Sequence, residues 1–411
     1  MNRMINLIKV SMWTALMLFM FSCEDEDEGN VVVIAIGENA AEEAQLAFIN
    51  AEEGQTIRFE EGVYEFLNTL SMDGKNNVKI EGAGMGLTIL NFSGQLAGGE
   101  GLLIANTDNV RIEGLTIQDA HGDALKSREC NRISFVDVGT VWTGEPGAEN
   151  GAYGLYPVLC TEVFIDGCYA YGASDAGIYV GQSDQVIVKN SIAEGNVAGI
   201  EIENTTNADV FDNEAFDNTG GILVFDLPGL TQTGNSIRVF NNNCHDNNRV
   251  NFAPEGNIVA NVPAGTGVML LSTRFVEVFD NDIHENEFVG VLIASYLLIN
   301  DLPDDPNYFP FPSSIYVLDN DYRMTAGEVE QDQPDFILDL MWLLGQYELD
   351  QPNVFIDGIF TSEGTICINE DDVSFINLNA LEDSNGGSLN TDIVPFECER
   401  SRLPEIAFDP Y

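Results

Sequence analysis

The phrase Asn-Val-Lys-Ile-Glu-Gly at Asn77 to Gly82 returns as Asn109-Val-Arg-Ile-Glu-Gly114 and, in looser form, every few dozen residues after that. A chain that repeats one short unit must fold into something that repeats as well. The first apolar residue of each copy marks the unit: Val78, Val110, Ile133, Val163, Val186, Ala208, Ile237, Val276, Ile315, Val354 and Val373. Four residues later stand Gly82, Gly114, Asp137, Gly167, Asn190, Asp212, Asn241, Asp280, Asp319, Gly358 and Asn377. A position held only by Gly, Asn or Asp is a bend with backbone angles that other side chains resist. The shortest intervals, Val110 to Ile133, Val163 to Val186 and Val186 to Ala208, are 23, 23 and 22 residues. Short alternating strands repeating at that interval are the signature of a solenoid.

A second phrase runs in phase with the first: Tyr153-Gly-Leu-Tyr-Pro-Val158, Ala176-Gly-Ile-Tyr-Val180, Ala198-Gly-Ile-Glu-Ile202 and Gly220-Gly-Ile-Leu-Val224. Strand alternation turns Leu155, Ile178, Ile200 and Ile222 inward. Each coil then holds at least two strands, and neither can bury its apolar side without the coils above and below. The architecture expected is all-β, a right-handed parallel β-helix. A leucine-rich horseshoe shares the period, but its Leu and Asn spacing is missing and the marker strands favour Val and Ile.

The 411 residues fit one domain, because a solenoid grows in one dimension. With 67 acidic residues against 16 basic ones, the formal net charge is −51, which argues against nucleic acid or an anionic membrane surface as a partner. It also disfavours a polyanionic ligand unless metal ions or a local basic pocket intervene, and most of the excess acid reads as a solvated coat.

Residues 1–22 read as an export signal. Arg3 and Lys9 precede an apolar run from Val10 to Phe21 that is short for a bilayer span and ends at Ser22-Cys23. This resembles a bacterial lipoprotein signal, with Met20 where the usual pattern has Leu, and the resemblance implies lipidation of Cys23. The acidic tether 23–30, with Glu24-Asp-Glu-Asp-Glu28, is similar to signals that send lipoproteins of Bacteroidetes to the cell surface. The expected location is outside the cytoplasm, lipid-anchored to the outer membrane and facing the surface or the periplasm, with the anchor as the sole membrane contact. Residues 31–411 form the β-helix domain, with an N-terminal cap at about 31–64 and a C-terminal cap at about 378–411.

Within the N-terminal cap, residues 39–52 place Ala40, Ala44, Ala47, Phe48 and Ala51 on one side, which predicts a helix covering the open first coil. Gly54 to Tyr64 reads as the opening strand. Intervals of 39 residues between Ile237, Val276, Ile315 and Val354 predict inserted loops in the C-terminal half. Among these, Pro303 to Pro312 reads as loop and Asp335 to Gln346 as a short apolar helix. Cys130 and Cys160 sit three residues before a marker, where Thr107, Ser183 and Thr205 sit in other coils; a buried ladder with free thiols is expected. Cys367 and Cys398 are the better disulfide candidates. The Asn runs at Asn241 to Asn243 and Asn247-Asn248 read as turn ladders. The His and Cys spacing fits no zinc or haem motif, and no cofactor is implied, although calcium bridging the acidic surface to a ligand stays open.

In a β-helix the outward residues of successive strands stack, so chemistry is read down columns. Alignment of the second phrase gives the column Lys126, Tyr156, Tyr179, Glu201, Leu223, Met269, Leu292, and two residues further along, Arg128, Val158, Gly181, Glu203, Phe225. Asp119, His121, Asp123, Tyr153, Ser174 and Asp175 precede the same strands. Tyrosine faces for pyranose rings, carboxylates for hydrogen bonds and a cation for an acid group make this a credible groove for a sugar chain. In a lyase or epimerase, Lys126 or Arg128 neutralises a uronate while Tyr156, Tyr179 or His121 moves the proton. In a hydrolase, Asp123 with Asp175, or Glu201 with Glu203, flanks the glycosidic bond. The plainer reading is a stabilising ladder of stacked Tyr with Lys126 paired to nearby acids, on a non-catalytic structural or interaction protein whose flank docks a partner protein.

The block from Asp119 to Tyr296, with Asn150-Gly-Ala-Tyr-Gly-Leu-Tyr-Pro-Val158, Ala173-Ser-Asp-Ala-Gly-Ile-Tyr-Val-Gly-Gln-Ser183 and Val197-Ala-Gly-Ile-Glu-Ile-Glu-Asn204, resembles a family of bacterial parallel β-helix repeat proteins. The resemblance implies a fold and no established activity. More distantly the coils are similar to carbohydrate-binding and sugar-hydrolase β-helices and to mannuronan C5-epimerases. The last have an Asp-Pro-His motif, and the nearest string here, Asp119-Ala120-His121, lacks the Pro, so that activity is not carried over.

Overall fold

The computed structural model describes residues 30–325, 351–361, 365–380, 389–408 and 410. The signal, Cys23 and the predicted helix from Asp335 to Gln346 lie outside them. The described chain winds into a parallel β-helix whose strands form a 20-stranded and an 11-stranded sheet. A middle coil shows the unit. Thr161–Asp166 lies on the first face, a bend at Gly167 leads to Tyr169–Tyr171 on the second, and a turn leads to Ala176–Gly181 on the third. Each pairs in parallel with its counterpart one coil away.

The markers Val78, Val110, Ile133, Val163, Val186, Ala208, Ile237, Val276 and Ile315 are register partners along the first face. The last two markers are corrected. Ile315 pairs with Ile366, whereas Val354 belongs to the third face, where it pairs with Val291 and Phe375. Val373 lies outside any strand. The inserted segment after Arg323 lengthens that coil, so a spacing rule that holds over compact coils lands on the wrong face.

Inside the stack, marker residues meet the third-face column Leu102, Leu125, Leu155, Ile178, Ile200, Ile222, Val268 and Val291, all buried in one continuous core. The bends are settled by ladders of polar side chains. Asn213, Asn242, Asn281 and Asn320 stack one per coil, each amide donating to the carbonyl of a neighbouring strand; the first three also donate to the next Asn at 2.8–3.0 Å, and Asn320 ends the ladder on Glu370. A second ladder joins Asn196, Asn218, Asn247 and Asn286. These bonds satisfy backbone groups that a buried turn would otherwise orphan. Cys130, Cys160, Ser183 and Thr205 form a third ladder, with both thiols free and buried.

The helix predicted at the N terminus is present as Ala40–Asn50, burying Ala40, Ala44 and Phe48 against the first coil. The opening strand is Val31–Ile34 rather than the stretch from Gly54, which splits into Thr56–Phe59 and Gly62–Glu65; the first of these pairs in parallel with Val31–Ile34. At the other end Cys367 and Cys398 are joined by a disulfide. Beyond it the tail runs back along the first face: Arg402 lies over the Phe279 ring, Leu403 N–H donates to Glu277, Ile406 N–H donates to Asp209, and Phe408 meets Phe164.

Candidate functional site

On the third face the outward register is Leu103, Lys126, Tyr156, Tyr179, Glu201, Leu223, Met269 and Leu292, one residue per coil. One step of two residues along, Arg128, Val158, Gly181, Glu203 and Phe225 align in the same way. From Leu223 onward the column is apolar and covered. Leu223, Phe225, Met269, Leu271, Leu292 and Phe355 pack beneath Val259, Val262 and Tyr296 from the inserted loops. The polar stretch ends where that cover begins, which leaves a pocket of about 360 Å³ lined by Tyr153, Asp175, Glu201, Glu203, Asn257 and Val259, among others.

Three tyrosines form the near wall. The rings of Tyr153, Tyr156 and Tyr179 are mutual neighbours with centroids 4.5–4.9 Å apart, and Lys126 Nζ sits 4.4 Å from the Tyr156 ring centre. Lys126 also donates to Asp123 at 3.1 Å and approaches Glu100 at 3.9 Å, so its charge is matched within the protein. Tyr179 Oη donates to Glu203 at 2.6 Å, while Tyr153 Oη and Asn257 Nδ2 both donate to Asp175 Oδ2, at 3.4 and 3.0 Å.

Glu201 differs from its neighbours. It is only 2% exposed, and its Oε2 has no hydrogen-bond partner among the described residues. Burial, then the charges of Asp175 and Glu203, hold its carboxyl well above the usual carboxylate range. Taking a carboxylate out of water beside two others is costly, so the protonated form is favoured. Burial and the Glu203 charge also push Asp175 up to about 7, against the hydrogen bonds from Tyr153 and Asn257 that favour its ionised form. Glu203 is raised too, by burial first, with the Tyr179 bond opposing. The tyrosines hold their protons: burial and the nearby carboxylates push Tyr156 up to about 12 and raise Tyr153 and Tyr179 further. The site can therefore donate protons from a carboxylic acid and accept them on a carboxylate, while its phenols serve as hydrogen-bond donors and stacking faces.

Not every residue singled out from the sequence joins this cluster. The His121 side chain is exposed on its turn, and among the described residues no hydrogen bond or ring contact ties it to the tyrosines; its backbone N–H donates to Gln95. Arg128 points to solvent and pairs with its neighbour Glu129. Asp119 anchors Thr143 of the next coil, and Ser174 donates to the backbone of Asn150 and Gly151. Asp123 accepts from Lys126 at 3.1 Å, and its charge is among those that raise Asp175. Conversely, Asn257 was not legible. It lies 82 residues from Asp175, on the inserted loop that folds back over the face. Asp226 was missed as well; it is fully buried at the edge of the cluster, with burial pushing it up to about 6, and follows Phe225 at a position no repeat marks.

The family model described as right handed beta helix region matches residues 100–297, the coils that carry this site. A comparison with curated proteins found no match. Among solved structures, the A-module of mannuronan C-5 epimerase AlgE6 from Azotobacter vinelandii aligns with a TM-score of 0.50 at 17% identity, over 82% of this chain and 89% of that one. A mutant DFA-IIIase from Arthrobacter chlorophenolicus A6, in complex with DFA-III, aligns with a TM-score of 0.50 at 13% identity, over 80% and 92%. At those identities the likeness establishes the fold. The chain folds as a right-handed parallel β-helix.

Proposed function

We propose that this protein binds a neutral polysaccharide across the tyrosine wall and cleaves it by hydrolysis. The observation that carries the reading is Glu201, a buried carboxyl with an unpartnered oxygen, set between Asp175 and Glu203 in a pocket open to solvent. Glu201 is placed to protonate the departing glycosidic oxygen, and Asp175, raised to about 7 and accepting two hydrogen bonds in its ionised form, to take the proton of the attacking water. A lyase or epimerase is less well supported. Tyrosines that hold their protons are poor bases, Lys126 is already paired, and a uronate would meet three carboxyls. The sugar-acting β-helices named above share the coil, and what they act on is not transferred. We also propose export and anchoring through Cys23, on the strength of the sequence signal.

The test is incubation with a panel of neutral and acidic glycans, following new reducing ends and unsaturated products. Hydrolysis gives reducing ends alone, and Glu201→Gln lowers the rate by ~10²–10⁴-fold with the fold intact. Tyr156→Ala and Tyr179→Ala each weaken binding by at least ~10-fold. Unsaturated products would shift the reading to a lyase. If no glycan binds, the polar column is a structural ladder and the flank a docking surface for a partner protein.

A further inference from the structure

The chain has three histidines, and two of them lie far from the tyrosine pocket, on the second face. His245 and His284 are register partners in adjacent coils, with rings stacked 4.8 Å apart and 2° from parallel. Each is followed by an acidic residue at a left-handed bend, Asp246 with φ of 50° and Glu285 with φ of 56°. That bend turns the carboxylate back beside the ring: His245 Nδ1 is 3.0 Å from Asp246 and His284 Nδ1 is 3.3 Å from Glu285. In the coils above, the same two positions hold Tyr171-Gly172, Glu194-Gly195 and Phe216-Asp217, and below them Arg323-Met324. The imidazole and carboxylate pair thus occurs in two consecutive coils and stops.

From this geometry we infer a binding site for a divalent transition ion of the zinc type, held by Nδ1 of His245 and His284 with the carboxylates of Glu285 and Asp246. One donor atom from each of His245, His284 and Glu285 already lies within 4.8 Å of the other two. Two ligands on one tetrahedral zinc sit about 3.3 Å apart, so closing the set takes up to about 1.5 Å of approach and a tilt of the stacked rings toward one another, in side chains that reach solvent. The other ring nitrogens are held. His245 Nε2 faces Glu214 Oε1 at 3.1 Å and His284 Nε2 faces Asn243 Oδ1 at 3.0 Å. Each Nδ1 faces a carboxylate, so an entering ion takes the place of the proton between ring and carboxylate; with the remaining proton on Nε2, each ring donates to its outer acceptor, the support that ligating histidines characteristically have. Phe216 stacks on His245 at 5.2 Å and fixes the ring plane from above. Arg323, the register partner of His284 in the next coil, is engaged by Asp282 and Asp321. Imidazole donors select zinc, copper, nickel or cobalt over calcium and magnesium. The bound ion would clamp two neighbouring coils on the face away from the sugar pocket.

The test is calorimetric titration of ZnCl₂ into untagged, chelator-stripped protein, beside the His245→Gln and His284→Gln variants and the double variant. The expected result is one saturable site per chain, weakened at least ~10-fold by each single change and abolished by both, with CaCl₂ failing to compete. Because the double variant keeps the acidic surface intact, zinc binding unchanged in it assigns the heat to scattered carboxylates and overturns the site. Co²⁺ added to the wild type gives a second readout that does not depend on any variant folding. A visible ligand-field band bleached by Zn²⁺ supports the site, and no band overturns it.

Discussion

Asp175→Asn should make this protein more stable, and by an amount that depends on pH. The carboxyl is almost fully buried, and its midpoint is pushed from 3.8 to about 7. A carboxyl raised in this way keeps its proton in the folded chain over a range where the unfolded chain has released it, so folding stability falls as pH rises from about 4 through about 7. The penalty from this one group approaches 4 kcal/mol at pH 8 and falls below about 1 kcal/mol at pH 4. Asparagine keeps an acceptor for Asn257 and Tyr153, so those bonds survive. Because Glu201 and Glu203 share the pocket and relax when Asp175 is neutralised, the gain at pH 8 is expected at about 2–4 kcal/mol. For a chain of this size that is on the order of 1 °C in melting temperature per kcal/mol. Thermal melts of wild type and variant at pH 4 and pH 8 test this, and comparison at each pH removes the general repulsion of the acidic surface. A gain of the same size at both pH values, or a loss at pH 8, would refute the claim that the pocket strains its carboxyls.

Other consequences reach the rest of the stack. Asn242→Ala removes the acceptor for both the backbone N–H and the side-chain amide of Asn213; two buried donors are orphaned, and a cost of about 2–5 kcal/mol is expected in thermal or urea unfolding. Cys398→Ser opens the cross-link to Cys367, 31 residues away, and should cost up to about 3–4 kcal/mol on the chain-entropy view, measured against wild type with and without reductant. Ile406→Ala empties the space between Phe164 and Ile187 and should cost about 2 kcal/mol, with hydrogen exchange rising first along the tail.

The coil register was legible because the bends are chemically restricted. Left-handed angles at Asp137, Asn190, Asp212, Asn241, Asp280 and Asp319 occur where the repeat places Asn or Asp. With that frame, alternation put Lys126, Tyr156, Tyr179 and Glu201 in one column. Two kinds of information were out of reach. The first is what covers a face: Glu201 reads as an exposed outward residue, and its burial comes from the insertion bearing Asn257 and Val259, whose path no periodicity encodes. The second is where a coil resumes after a long insertion, which misassigned Val354 and hid Ile366. His121 was grouped with the strand residues because it precedes one closely, but its turn carries it to solvent.

The proton on Glu201 is the most direct test. In protein labelled with ¹³C at glutamate side chains, the carboxyl resonance that disappears in Glu201→Gln can be followed through a pH titration. A carboxyl that holds its proton well above the usual glutamate range is the expected result and supplies the acid that hydrolysis needs. A titration complete below about pH 5, as for an ordinary glutamate, would contradict it and return the tyrosine column to the role of a structural ladder.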